Sequence, residues 1–183
     1  PFSVSTHFAQ GWEPWLIPLI KGAGFSWIRD ECYWANVERS KGSFDLNFTN
    51  AKRLKLASEQ LNVMLVFGYG NKFYDNNSAP TTPAGLTGWK NHMAAIIGEF
   101  PQIDTFETWN EYNCGFNMYG KTDPTPQNYL LLLKATHEQL KQSRPNAKLL
   151  GISTATLPWG WIEWWSLPRV RLRPSKVNLV PSA

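Results

Sequence analysis

The chain has 183 residues, 43% hydrophobic and 17% charged, which suits one domain with a core of its own and excludes disordered and collagen-like classes. No run reaches the roughly 18 apolar residues of a membrane helix, and no basic segment leading into an apolar one opens the chain, so a membrane partner is not expected. The net charge of +4 comes entirely from residues 166–183, where Arg169, Arg171, Arg173 and Lys176 meet no acid; the other 14 basic residues balance the 14 acidic ones, so nucleic acid is not expected as a partner either.

In chain order, short β-rich runs alternate with longer helical stretches, which predicts successive βα units and a parallel sheet. Strands are predicted at Phe2–Phe8, Phe25–Asp30, Asn62–Gly68, Ile103–Asn110 and Leu149–Thr154. Helices are predicted at Glu13–Lys21, Asn47–Leu61, Thr87–Phe100 and Pro126–Ser143, the last with Leu130, Leu133 and Leu140 on an apolar stripe, and a final helix near Trp161. Gly22 and Gly24, Pro101, and Arg144-Pro145 stand where the first, third and fourth helices should stop. No Gly-rich phosphate loop follows the first strand, where His7-Phe8-Ala9-Gln10-Gly11 stands instead, and this argues against a doubly wound nucleotide-binding sheet.

The predicted fold class is therefore α/β, a partial (β/α) barrel of the TIM type. A closed eight-unit barrel takes about 250 residues, whereas here about five βα units are read, so the sheet is expected to be open rather than closed as a monomer. Composition breaks at Ser166, giving a barrel domain over residues 1–165 and a basic Pro- and Arg-containing tail over 166–183. Cys32 and Cys114 are too few for a disulfide framework and lack metal-ligand spacing, and the three histidines are scattered; no metal or cofactor is expected, and the compartment is left open.

The chemistry concentrates in Phe106-Glu107-Thr108-Trp109-Asn110-Glu111-Tyr112-Asn113, where a β-rich run ends in Asn-Glu. In a barrel of this type the C-terminal strand ends form the active-site face. A carboxyl group there can protonate a leaving glycosidic oxygen if an apolar surround raises its pKa, a surround that Trp109, Tyr112 and Phe116 are in position to supply. The 10 tryptophans add aromatic faces of the kind on which sugar rings pack. Four of them, Trp159, Trp161, Trp164 and Trp165, read equally as a sugar platform or as a packed helix face at i, i+3, i+4 spacing.

Three passages resemble the clan A glycoside hydrolases, nearest to family 39 and its endoglycosidase-like relatives. Thr108-Trp109-Asn110-Glu111 resembles the fourth-strand motif. Trp27-Ile28-Arg29-Asp30 through Trp34, Val37-Glu38 and Gly42-Ser43-Phe44-Asp45 resembles the second-strand passage, and Val66-Phe67-Gly68-Tyr69-Gly70 the end of the third. The resemblance covers roughly residues 2–165 and implies a retaining glycoside hydrolase that cleaves β-glycosidic bonds of an oligo- or polysaccharide. It implies Glu111 as catalytic acid/base and Asn110 as ligand of the sugar 2-hydroxyl, with Arg29, Tyr69, His7 and Trp109 completing the substrate-binding site. His7 reads equally as a structural residue.

The family's second catalytic Glu lies on a seventh strand that these 183 residues do not reach. Retaining chemistry needs its carboxyl groups about 5–5.5 Å apart. Glu107 shares the strand parity of Glu111 but lies some 13 Å deeper at about 3.3 Å per residue, and it is expected to pair with Arg29 as a buried structural ion. The alternative reading is a catalytically silent carbohydrate-binding or vestigial fragment without the nucleophile. Five parallel strands leave two open edges and an inner face expected to expose apolar side chains, so a homodimer or higher homo-oligomer is expected to cover them.

Overall fold

The computed structural model describes residues 2–120, 122–151, 153–155 and Trp161. Five parallel strands form one sheet in the order β1 (Ser3–Ser5), β2 (Trp27–Tyr33), β3 (Asn62–Gly68), β4 (Thr105–Thr108) and β5 (Lys148–Leu150), each paired with its chain neighbour. Helices α1 (Leu16–Gly22), α2 (Trp34–Val37), α3 (Thr49–Ser58), α4 (Pro83–Glu99) and α5 (Pro126–Ser143) lie between them. This is the open, partial barrel arrangement that the alternation of elements predicts. Among the described helices none is long and apolar enough to cross a membrane.

The local chemistry explains where the two long helices begin. Both start on Thr-Pro: Thr82 Oγ1 accepts from the Gly85 amide (3.1 Å) and Thr125 Oγ1 from the Asn128 amide (3.2 Å), while Pro83 and Pro126 occupy a first-turn position whose N–H would be unpaired anyway. Thr82-Pro83 therefore starts α4 four residues before the predicted Thr87. The buried stripe of α5 is Tyr129, Leu132, Leu133, Thr136 and Leu140, with Leu130 only half-buried. It packs on α4, where Trp89 Nε1 donates to Thr136 Oγ1 at 2.9 Å. Arg144 then closes the far end by donating to the carbonyls of Ile97, Phe100 and Ile103.

Strand parity divides the sheet into two faces. Towards the helices point Ile28, Leu65, Phe67, Phe106 and Leu149, all buried, with the Phe67 and Phe106 rings stacked at 4.9 Å. The opposite, inner face carries Arg29, Glu31 and Glu107 beside Met64 and Val66 in register. The expected apolar inner face is thus corrected: an ion cluster occupies its centre. The strand limits also differ from expectation. β1 stops at Ser5 because Thr6 Oγ1 and the Phe8 and Ala9 amides turn onto the Asp30 carboxylate (2.8, 2.7 and 3.3 Å). β2 runs on to Tyr33 because β3 pairs with it through Gly68.

Candidate active site

The predicted residues come from within β2 (Arg29) and from the segments that follow β1 (His7), β3 (Tyr69) and β4 (Trp109, Asn110 and Glu111). Arg29 forms the centre. Its Nε and Nη2 bind the two Glu107 oxygens at 2.8 and 2.9 Å, Nη1 lies 3.4 Å from Glu31 Oε1, and Nη2 also donates to Asn110 Oδ1 at 2.8 Å. Burial works to lower the guanidinium pKa, but the hydrogen bond and charge of Glu107, with Glu31 and Tyr69, outweigh it and hold Arg29 firmly charged. The expected Arg29–Glu107 ion pair is present in the bidentate form that fixes both planes.

That pair sets the position of Asn110. Its Oδ1 accepts from Arg29 and from Ser153 Oγ (3.2 Å), and its Nδ2 group makes no hydrogen bond among the described residues. Asn113 makes a reciprocal pair of bonds with the Ala155 backbone, both 2.9 Å, tying the loop after β4 to the segment after β5. Between these two asparagines stands Glu111, half-buried, in the left-handed region at φ +49°. Its carbonyl accepts from the Cys114 and Phe116 amides and from Cys114 Sγ, while its carboxylate makes no hydrogen bond or ion pair among the described residues.

Trp109 is also left-handed, at φ +62°, a region costly for a bulky side chain. Its indole is fully buried, donates to the Phe116 carbonyl at 2.9 Å, and meets the Tyr69 and Tyr112 rings edge-on. Expected at the substrate-binding site, Trp109 has no accessible surface in this structure and supports the loop through its hydrogen bond and ring contacts. Tyr112 is buried likewise, against Tyr129 and Trp161, so of the three aromatic residues expected around Glu111 only Phe116 remains exposed. Trp161 has the packed role; Trp159, Trp164 and Trp165 lie outside the described residues.

Tyr69 follows a cis peptide bond from Gly68 at the end of β3. Its ring packs on Trp109 and Phe116 (5.2 and 5.5 Å), and its buried hydroxyl faces Glu31. Burial first, and the Glu31 charge second, push its phenol far above the usual tyrosine range, so it stays a donor. His7 is exposed at the end of β1, with Nδ1 3.0 Å from Gln10 Oε1 and its ring edge-on to Trp12 at 5.5 Å. Gln10 in turn donates to the Glu31 carbonyl, so the β1 loop is fastened to the end of β2.

The remaining carboxylates nearby are engaged. Asp30 points to the helix side and receives four donors, from Thr6 Oγ1 and the amides of Phe8, Ala9 and Glu31; burial nevertheless raises its pKa to about 6. Glu31 and Glu107 both lie on Arg29. Among the described residues Glu111 is thus the carboxylate left unpaired at the end of β4. Sequence reasoning missed Glu31 as a member of the Arg29 cluster, although its parity with Arg29 in β2 was a usable signal.

No family model and no curated protein sequence matches the chain. Solved structures do. A family 39 glycoside hydrolase from Bacteroides cellulosilyticus is similar at 26% identity and a TM-score of 0.64, over 81% of this chain and 31% of that one. A monomeric β-xylosidase from Caulobacter crescentus shares 19% identity (TM-score 0.64; 85% of this chain, 36% of that one), and the family 39 enzyme from Xanthomonas axonopodis 18% (TM-score 0.64; 91% and 38%). The last two likenesses concern the fold. The chain spans about a third of the length of these structures. It resembles the clan A glycoside hydrolases, family 39 among them, as a partial barrel.

Proposed function

We propose that this chain carries the acid/base half of a glycoside hydrolase site that acts on a β-linked oligo- or polysaccharide. The observation that carries the reading is the Asn110–Glu111 step. At the end of β4 a carboxylate with no partner among the described residues stands beside an amide whose oxygen accepts from Arg29 and Ser153 and whose N–H groups make no hydrogen bond among those residues. In this reading Glu111 gives its proton to the leaving glycosidic oxygen and takes one from the incoming water, while Asn110 donates to the sugar 2-hydroxyl. Arg29 acts as a positioning residue through Asn110, and Tyr69 and His7 border the sugar.

The test is hydrolysis of β-linked aryl glycosides of glucose, xylose and mannose by wild type and Glu111→Gln. Loss of the proton donor should cost about 10²–10⁴-fold with poor leaving groups and far less with nitrophenolates, which leave without help. Equal losses for both substrate types would remove Glu111 from the role of acid.

A second reading, carbohydrate binding without hydrolysis, has its own support. Asp30, Glu31 and Glu107, the carboxylates around Arg29, are all engaged by donors, which supports a site without a second catalytic carboxylate of its own. Near-background rates in wild type, together with calorimetric glycan binding, would favour it.

A further inference from the structure

Beside the Glu111 loop, the structure holds a pocket of about 120 Å³ walled by Tyr33, Tyr69 and Gly70 from the ends of β2 and β3, and by Asn77, Asn117 and Tyr119 from the two loops that follow β3 and β4. The loops are pressed together. A Cβ on Gly70 would lie 2.5 Å from the Asn77 carbonyl, and one on Gly120 would lie 2.7 Å from the Asp75 and Asn76 oxygens, so both contacts require glycine. The Tyr119 amide donates to the Asn77 carbonyl at 3.2 Å, and Thr122 Oγ1 donates to the Ala79 carbonyl at 2.9 Å. The walls are therefore fixed by backbone contacts before anything binds, which lowers the ordering cost of a ligand.

The lining is aromatic and amide. Tyr33 and Tyr69 meet edge-on at 5.2 Å, and burial followed by the Glu31 charge pushes the Tyr33 phenol to about 12, so it remains a hydroxyl donor. Asn117 Oδ1 accepts from Tyr119 Oη at 3.0 Å, and the side-chain N–H groups of Asn117 and Asn77 make no hydrogen bond among the described residues. Both asparagines stand at positive φ, +61° and +56°, so the backbone directs their side chains independently of a helix or strand. None of the lining residues is charged. Ring faces for C–H groups and free amides for hydroxyls, without charge, suit a neutral pyranose.

We infer that this pocket is a separate subsite for one neutral pyranose unit of a β-linked glycan, adjoining the unit held at Asn110 and Glu111. The connection is physical: Tyr69 lines the pocket and packs on Trp109, two residues before Glu111, and Asn117 follows Phe116, whose amide donates to the Glu111 carbonyl. The inference rests on the glycan reading above and adds that the protein holds at least two consecutive sugar rings.

Calorimetry with cellotetraose, xylotetraose and mannotetraose, each against its monosaccharide, tests this on wild type, Tyr119→Ala and Asn117→Gly. Tyr119 is 74% exposed and glycine tolerates positive φ, so both variants should keep the wild-type Tm. The expected result is a tetrasaccharide Kd at least tenfold weaker in each variant, with monosaccharide binding unchanged. Equal tetrasaccharide affinity in wild type and variants would overturn the subsite and leave the glycan reading standing; absence of binding to every sugar in wild type would overturn both. Tetramannuronate, β-linked and acidic, is titrated as a fourth ligand, and tighter binding of it than of the neutral tetrasaccharides would overturn the neutral class.

Discussion

The end of β4 contains two regions of opposite character within five residues. At Glu107 every polar group is matched: a bidentate ion pair with Arg29, itself bound to Asn110 and Glu31. At Glu111 the backbone is left-handed and the carboxylate has no partner among the described residues. The difference separates two tasks. A buried ion pair fixes geometry only if each lone pair is satisfied, whereas a group that must meet a ligand has to be left unsatisfied, on a loop that the rigid part holds in place.

The largest effect should come from breaking the matched region. Arg29→Met would leave Glu107, whose side chain is 6% exposed, as an unpaired buried charge, at a cost of about 3–5 kcal/mol, nearer the lower figure because the Arg29 side chain is itself 19% exposed. Urea denaturation at pH 7 measures this. Arg29→Met combined with Glu107→Leu should recover most of the loss, since an apolar pair of similar volume removes the stranded charge; a double variant no better than the single one would mean that the pair acts through packing.

Two buried titrating groups on the helix side of the sheet give the next effect, of about 1.4 kcal/mol per pH unit each. His92 is fully buried against Trp34 and Trp89, neither ring nitrogen has a partner among the described residues, and burial lowers its pKa to about 3. It binds fewer protons folded than unfolded, so its contribution is present above pH 6.5 and is lost as pH falls towards 3. Asp30 has the reverse sign: raised by burial to about 6, it contributes stability below pH 4 that is lost as pH rises through 6. Between pH 4 and 6 the two slopes oppose each other. His92→Phe should therefore expose the Asp30 slope, with stability falling as pH rises across that window, and an unchanged pH profile would remove His92 from the account.

Trp109→Phe should cost less, about 1–3 kcal/mol, by removing the indole N–H from the Phe116 carbonyl. Because that bond closes the loop around Glu111, the variant should also lose activity or glycan affinity more than its loss of stability explains. A stable variant with wild-type function would break the link between the buried support and the loop.

Much of this arrangement was legible in the residues, for identifiable reasons. Strand order follows chain order because each βα unit is short, and Pro126–Ser143 is the α5 range because Thr-Pro opens it and Arg144-Pro145 closes it. The Arg29–Glu107 pair was legible because both lie mid-strand, where a charge needs a partner. The left-handed residues were not: Trp109 and Glu111 lack the glycine or asparagine signature that normally marks positive φ, and tertiary packing alone holds them there. Nor does the adjacency of Asp30 and Glu31 in the sequence show that strand parity sends them to opposite faces, Glu31 to Arg29 and Asp30 to the β1 loop that it holds.

The smallest effect on stability is expected where the effect on function should be greatest. The Glu111 carboxylate has no partner to lose among the described residues, and glutamine matches its shape and tolerates the same backbone about as well, so Glu111→Gln should change unfolding free energy by no more than about 0.5 kcal/mol. Thermal and urea unfolding of the variant measure this directly. The comparison between the two regions is sharpest here, since Glu107→Gln should be destabilising through loss of the charge that faces Arg29 while Glu111→Gln is not. A marked destabilisation by Glu111→Gln would mean that its carboxylate is committed to the fold, and a carboxylate so committed would be poorly placed to give a proton to a sugar.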